Sequence, residues 1–124
     1  MYKFSNSSKK QYNTLHPDLQ KILDIAIQYY DFSILCGHRN EIDQNVAYKN
    51  GTSNLKWPDS NHNTKPSNAV DIAPYPINWE DVEEFYYLAG IINLIAQLHN
   101  IDIKWGGRFS SILDCPHFEL VQDS

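Results

Sequence analysis

The longest apolar pattern in the chain runs from Val82 to Leu98, and it limits how the remaining residues can fold. Apolar residues recur there at three- and four-residue spacing, which is the period of an α-helix. These residues would lie on one face of the helix, and further apolar side chains at Leu88, Ile91, Leu94 and Ile95 widen that face. We therefore expect a helix that is buried on much of its surface, with Asn78 as its N-cap.

Two shorter helices are predicted upstream of this segment. Pro17 opens an amphipathic pattern that continues to Tyr30, with Asp18 in its first turn. A second helix is expected over Glu41–Lys49. The first dozen residues are polar, so we expect 1–12 to form an irregular N-terminal arm.

Four short apolar segments predict β-strands between these helices. They are Phe32–Cys36, Ala69–Ala73, Ile101–Trp105 and His117–Val121. The polar segment from Thr52 to Asn68 has no periodic pattern, so it is a predicted long loop, and such loops often carry function. The 124 residues fit one domain, 1–124. We predict a small single α+β domain in which a short antiparallel sheet is flanked by helices.

Composition excludes several kinds of partner. The net charge is -5 and no basic run occurs, so neither nucleic acid nor an anionic membrane surface is an expected partner. No run of about 18 apolar residues is present, so we expect no membrane insertion. The first ten residues lack the apolar core of a secretory signal peptide. The spacing of Cys36 and Cys115 leaves open whether they pair.

Residues with metal-binding and acid–base chemistry lie at the edges of the predicted elements. A catalytic zinc site needs three protein ligands and an open position for water. His62 in the long loop, Asp71 on the next strand and His117 at the start of the last strand would supply such a set. Asp114 adds a carboxylate that could take a proton from the zinc-bound water and deliver it to the leaving amine.

Each of these residues also has an ordinary structural interpretation. A histidine in a polar loop is usually solvated, and an aspartate at position 114 could be a turn residue or an N-cap. His117 could be a core histidine bonded to the backbone. The ligand spacing alone is less specific than a His-Glu-x-x-His helix, so the residues by themselves leave both interpretations open.

Four separated blocks together resemble a known family. They are Gly37-His38-Arg39 with Gln44, Ser60-x-His62, the segment Pro66 to Pro76 around Ala69-Val70-Asp71, and Trp105-Gly106-Gly107 followed by Asp114-x-Pro116-His117-Phe118-Glu119. In this order they closely resemble the zinc D-alanyl-D-alanine carboxypeptidase and L-alanyl-D-glutamate endopeptidase family, and in particular its short phage endolysin branch. The resemblance extends from about residue 33 to 121.

The resemblance implies a Zn²⁺ ion held by His62, Asp71 and His117, with Asp114 as the general base. The histidine and aspartate ligands are nine positions apart here, whereas many relatives have seven. Many carboxypeptidases also place Glu where Asp114 stands. Both departures favour the phage endopeptidase type.

Further expectations follow from the same resemblance. Arg39 would bind a substrate carboxylate or help polarise the scissile carbonyl, because a guanidinium group is a permanently charged fork. Ser60 would orient the loop or touch substrate. The fold would be the one that this family shares with the hedgehog signalling domain.

The implied function is hydrolysis of peptidoglycan stem peptides at the L-alanyl-D-glutamate bond by a phage lysis enzyme. The alternatives are a D,D- or L,D-carboxypeptidase on the same fold and a non-catalytic zinc-binding module. The enzyme would be a monomer. It would accumulate in the host bacterial cytoplasm until its release to the wall, or it would be carried by the virion.

Overall fold

The computed structural model describes residues 2–108 and 115–121. These residues form helices α1 (Asn6–Tyr12), α2 (Pro17–Ala26), α3 (Glu41–Lys49) and α4 (Val82–Leu98), and strands β1 (Phe32–Cys36), β2 (Ala69–Pro74), β3 (Ile103–Trp105) and β4 (His117–Leu120). Two 3₁₀ turns, Asn61–Asn63 and Gly106–Arg108, lie in the connections. No helix in the described ranges is long and apolar enough to cross a membrane.

The four strands form one antiparallel sheet in the order β1-β2-β4-β3. The register pairs Asp71 of β2 with Cys36 of β1 on one side and with His117 of β4 on the other. This arrangement confirms the predicted α+β class with a short antiparallel sheet. It also brings segments that are far apart in the sequence to the middle of one sheet.

The core lies between the sheet and the two long helices α2 and α4. Strand β2 contributes Val70 and Ile72, which are at most 1% exposed, and strand β4 contributes Phe118, which is 2% exposed. The buried face of α4 consists of Phe85, Leu88, Ala89, Ile92, Ile95 and Ala96. Burial of these side chains is the main stabilising contribution to the fold.

Two details of the predicted α4 are wrong. Leu94 and Leu98 are 57% and 70% exposed, so the buried face is narrower than the apolar pattern suggested. Asn78 is not the N-cap, because the helix starts at Val82. The Asn78 side chain instead accepts a hydrogen bond from the amide of Glu80, in a turn before the helix.

The expected irregular arm over residues 1–12 is also wrong in part, since Asn6–Tyr12 is helical. The side chain of Ser5 caps this helix by accepting from the amide of Ser8. Ser8 is buried, and its hydroxyl oxygen accepts a 2.9 Å hydrogen bond from the amide of Ile34 in β1. The polar helix therefore satisfies a backbone donor of strand β1, a role that local apolar periodicity cannot reveal.

Candidate metal centre

Strand pairing places two of the predicted ligands side by side. Asp71 and His117 are direct partners in the β2–β4 register, so their side chains leave the same face of the sheet. The third, His62, lies in the 3₁₀ turn Asn61–Asn63 of the long loop. The loop is tied to the segment after β1, because the amide of Arg39 donates a 2.7 Å hydrogen bond to the carbonyl of His62.

The ligand atoms of these three residues converge. Asp71 Oδ1 lies 3.0 Å from His117 Nδ1 and 3.4 Å from His62 Nε2. The two ring nitrogens are 3.2 Å apart. Ligand atoms in a tetrahedral zinc site with bonds of about 2.0–2.1 Å are separated by roughly 3.3 Å. The three separations therefore fit donors that share one metal ion.

The opposite nitrogen of each ring is fixed by an acceptor. His62 Nδ1 donates to the Gly37 carbonyl at 2.7 Å, and His117 Nε2 donates to Glu119 Oε1 at 2.8 Å. Glu119 is itself held by Asn61, whose Nδ2 donates to Oε2 at 2.5 Å. An acceptor at one ring nitrogen fixes the tautomer, so the other nitrogen keeps a lone pair that can bind a metal. Two lone pairs and a carboxylate oxygen this close repel one another unless a cation or ring protons lie between them.

The electrostatics of the cluster follow from burial and from these contacts. Burial lowers the pKa of His62, but hydrogen bonds and charge from Asp71 and Cys36 outweigh it and raise that pKa to about 10. Burial likewise lowers the pKa of His117, but its hydrogen bonds to Asp71 and Glu119 outweigh burial and raise that pKa to about 9. Burial raises the pKa of Asp71, yet its bonds from both histidines bring it far below its usual range. Without metal the cluster is thus held together by ring protons.

Cys36 is a further side chain at this centre. Its sulfur, together with one ligand atom each from His62 and Asp71, forms a group in which all three atoms lie within 4.8 Å of one another. The thiol sulfur is 3.9 Å from His62 Nδ1, the nitrogen already engaged by Gly37. His117 Nδ1 lies 3.0 Å from Asp71 Oδ1 and 3.2 Å from His62 Nε2, so His117 and Cys36 are both candidates for the third ligand.

Arg39 lies at the edge of the same cluster. Its Nη2 is 3.7 Å from Asp71 Oδ2, and its Nη1 donates to Gln44 Oε1 at 2.9 Å. The side chain is 17% exposed, so its charge is only partly solvated. This geometry gives a fixed cation beside the three converging ligand atoms.

Gln44 is a residue whose role sequence reasoning missed. It is fully buried in α3, with four hydrogen bonds. Oε1 accepts from Arg39 and from Asn63 Nδ2, and Nε2 donates to the Leu55 carbonyl at 2.7 Å and to Ser53 Oγ at 3.0 Å. The sequence marked Gln44 only as part of the first block that resembles the family, and its burial was not expected because glutamine is usually exposed.

Ser60 positions the turn that carries His62. Its hydroxyl oxygen accepts from the amide of His62 at 3.2 Å, and its own amide donates to Asn63 Oδ1 at 3.0 Å. This reciprocal cap fixes the backbone on both sides of the histidine. The expected role in orienting the loop agrees with these contacts, whereas contact of Ser60 with substrate remains a prediction.

Asp114, the predicted base, lies outside the described residues.

Comparison with known proteins gives consistent matches. Residues 1–121 match the family model described as phage L-alanyl-D-glutamate peptidase. The chain is 36% identical over 118 residues to the L-alanyl-D-glutamate peptidase of Escherichia phage T5, which covers 89% of this chain and 83% of the phage protein. The fold is similar to that of the Serratia marcescens L-Ala D-Glu endopeptidase ChiX, with a TM-score of 0.82, 27% identity, and 95% and 89% of the two chains covered.

Proposed function

Because the chain belongs to the phage L-alanyl-D-glutamate peptidase family, we propose that it is a zinc-dependent endopeptidase that cuts the L-alanyl-D-glutamate bond of peptidoglycan stem peptides. The observation that carries the proposal is the convergence of His62 Nε2, Asp71 Oδ1 and His117 Nδ1 within 3.0–3.4 Å of one another. We further propose that it acts as an endolysin, a monomeric phage lysis enzyme that is held in the host cytoplasm until release or carried by the virion.

The donor set favours zinc among the common protein metals. Two imidazole nitrogens and one carboxylate oxygen are the ligands of catalytic zinc sites, whereas magnesium and calcium prefer oxygen alone. In this proposal His62, Asp71 and His117 hold the ion. When bound, zinc supplies a Lewis acid that polarises a carbonyl oxygen and makes a water molecule more acidic.

Arg39 is the proposed anchor for substrate. In the stem peptide the D-glutamate is extended through its side-chain carboxyl, so its main-chain carboxylate is free and lies next to the scissile bond. Arg39 presents a permanent charge 3.7 Å from Asp71 Oδ2, on the border of the ligand cluster. A charge-assisted bond from Arg39 to that carboxylate would hold the scissile bond beside the metal ligands.

Asp114 is the proposed general base, and Ser60 remains a proposed substrate contact. Asp114 precedes the proposed ligand His117 by three residues in the sequence, and the family resemblance supports its assignment as the base. A carboxylate there can accept a proton from the attacking water and return it to the departing D-glutamate nitrogen. Both steps need a proton carrier within hydrogen-bond reach of the reacting atoms.

The test is mass spectrometry of products from purified peptidoglycan treated with the zinc-loaded protein. The proposal expects stems released with D-glutamate at their new amino end, and no loss of terminal D-alanine. Asp114→Asn should retain bound zinc but lose about 10²–10⁴-fold in rate. Release of D-alanine alone would establish a carboxypeptidase instead. Zinc binding with no product from any stem peptide would establish a binding module.

A further inference from the structure

Large apolar side chains are exposed directly after strand β2. Tyr75, Ile77 and Trp79 are 60%, 41% and 59% exposed, at alternate positions in the segment between β2 and α4. Isolated exposed apolar residues are ordinary, but several together usually mark a binding surface. Nothing in the proposed zinc chemistry uses these residues.

The ring of Trp79 is held in a fixed orientation. It stacks on Phe85 with the ring centroids 5.5 Å apart and an angle of 19° between the planes. Phe85 belongs to the core and is only 4% exposed. One side of the indole is therefore anchored to the core, and the ring is a pre-organised platform for a ligand.

A cavity of about 300 Å³ lies beside this segment. Its apolar walls include the rings of Pro74, Tyr75 and Pro76, and its polar walls include Asn78, Asp81 and Glu84. The hydroxyl of Tyr30 donates to the Glu84 carboxylate and fixes its position. The cavity thus combines flat apolar rings with carboxylate acceptors, of which that of Glu84 is held in place by Tyr30.

This combination matches a pyranose sugar. A pyranose presents C–H groups on its faces, which pack on flat rings, and hydroxyl or amide N–H donors around its edge. The carboxylates of Asp81 and Glu84 can accept those donors, and their negative charge disfavours anionic ligands. A neutral N-acetylated amino sugar fits both features.

The position of the cavity agrees with the substrate of the proposed function. Tyr75 follows Asp71 by four residues, which is about 13 Å along an extended strand. The L-alanine of a stem peptide is joined through a lactyl group to the sugar, so that sugar lies roughly two residue lengths, about 7 Å, from the scissile bond. A glycan strand that runs from the scissile bond along β2 would place its neighbouring sugars at the segment after β2.

We propose that the cavity lined by Tyr75 and Asn78, together with the ring of Trp79, which follows Asn78 in the chain, binds the glycan strand of peptidoglycan. This inference rests on the proposed function. It makes the enzyme selective for stem peptides that are still attached to sugar, with the sugar-binding surface supplied by the peptidase domain itself.

The kinetic test compares two substrates, a stem peptide linked to its disaccharide and the same peptide free. The ratio of kcat/KM for the linked over the free peptide should fall about tenfold in Trp79→Ala and in Tyr75→Ala, which is the loss of about one stacking contact. The matched control is Leu98→Ala, because Leu98 is 70% exposed at the far end of α4. Its ratio should stay at the wild-type value. An unchanged ratio in Trp79→Ala overturns the proposal.

A binding test separates this proposal from the proposed function. The indole N–H resonance of Trp79 should shift when a tetramer of N-acetylglucosamine is titrated into the zinc-loaded protein, and Trp79→Phe should retain binding that Trp79→Ala loses. If the protein cuts neither peptide, the proposed function fails, but the titration still decides whether the sugar site exists. A Trp79 resonance that does not move at millimolar sugar overturns the glycan site even if both peptides are cut.

Discussion

His117 Nε2 lies 2.8 Å from Glu119 Oε1, and the two residues stand two positions apart on strand β4. Strand alternation puts both side chains on one face, so Glu119 determines which ring nitrogen of His117 keeps its lone pair for the metal. Glu119→Ala should weaken zinc binding about 10–100-fold. Competition against a chromophoric chelator measures this affinity.

The conservative variant separates hydrogen bonding from charge. Glu119→Gln keeps an acceptor oxygen for the His117 N–H, so its zinc affinity should lie between those of the wild type and Glu119→Ala. Glu83→Ala, which removes an exposed carboxylate of α4, serves as the control for net charge. Equal affinities in Glu119→Ala and the wild type would show that His117 is not oriented in this way.

Removal of a proposed ligand should abolish both metal binding and turnover. His62→Ala leaves only Asp71 and His117 at the centre, and two protein ligands are too few for a stable catalytic zinc site. Elemental analysis after dialysis should find less than stoichiometric zinc, and peptidoglycan cleavage should be lost. His99→Ala, at an exposed histidine following α4, should keep both. Full zinc occupancy in His62→Ala would contradict the assigned ligand set.

Zinc binding to the metal-free protein should release protons. The pKa of His62 is raised from 6.5 to about 10 by its bonds to Asp71 and Cys36, against the effect of burial, so its ring carries two protons at pH 7. Zinc needs the Nε2 lone pair and must displace one of them. Calorimetry at pH 7 in buffers of different ionisation enthalpy should report this release, and apparent affinity should increase from pH 6 to pH 9. A buffer-independent enthalpy would contradict the expectation.

The same raised pKa has a defined effect on the metal-free fold. A histidine with a higher pKa in the folded state stabilises that state fully below the unfolded value of 6.5. The contribution is lost as the pH rises through the folded-state value of about 10. Chelator-treated protein should therefore lose stability toward alkaline pH more than the zinc-loaded protein does, as measured by urea unfolding.

Gln44→Met should impair substrate binding as well as stability. The variant removes the hydrogen bonds that Gln44 accepts from Arg39 and Asn63 and the one that it donates to the Leu55 carbonyl. Buried groups left without partners cost about 1–3 kcal/mol. A released Arg39 should raise KM more than it lowers kcat. Gln97→Met, at an exposed glutamine of α4, is the control. A loss of stability with KM unchanged would make Gln44 purely structural.

Gly90→Ala should stabilise the protein by about 0.5–1 kcal/mol, because a glycine inside a helix is unfavourable relative to alanine. Within the described ranges, no atom beyond the helix itself and the chain neighbours lies within 4 Å of the position that its Cβ would take. Gly37→Ala should do the opposite, since its Cβ would lie 2.8 Å from the Gln11 carbonyl oxygen. Urea denaturation measures both. A destabilised Gly90→Ala would contradict this expectation.

Much of the fold was predictable from local patterns. The period of apolar residues predicted α2 and the buried side of α4. The helix over Glu41–Lys49 was confirmed with its predicted bounds. Helix α1 was missed because its stabilising contact, from the amide of Ile34 to Ser8 Oγ, joins residues 26 positions apart. The exposed end of α4 was missed because an apolar side chain is buried only where another element covers it.

For the candidate site, the sequence by itself determined the residue types and their order, and with them the family to which the chain belongs. Those features are chemical and linear, so they can be recognised without a fold. Only the tertiary structure decided which atoms meet. The register of β2 against β4 sets Asp71 beside His117, and contacts from Gly37 and Glu119 select the ring nitrogens that face each other. The burial of Gln44 and the stacking of Trp79 on Phe85 also depend on the tertiary structure. Both arise from packing between segments that have no periodic relation in the sequence.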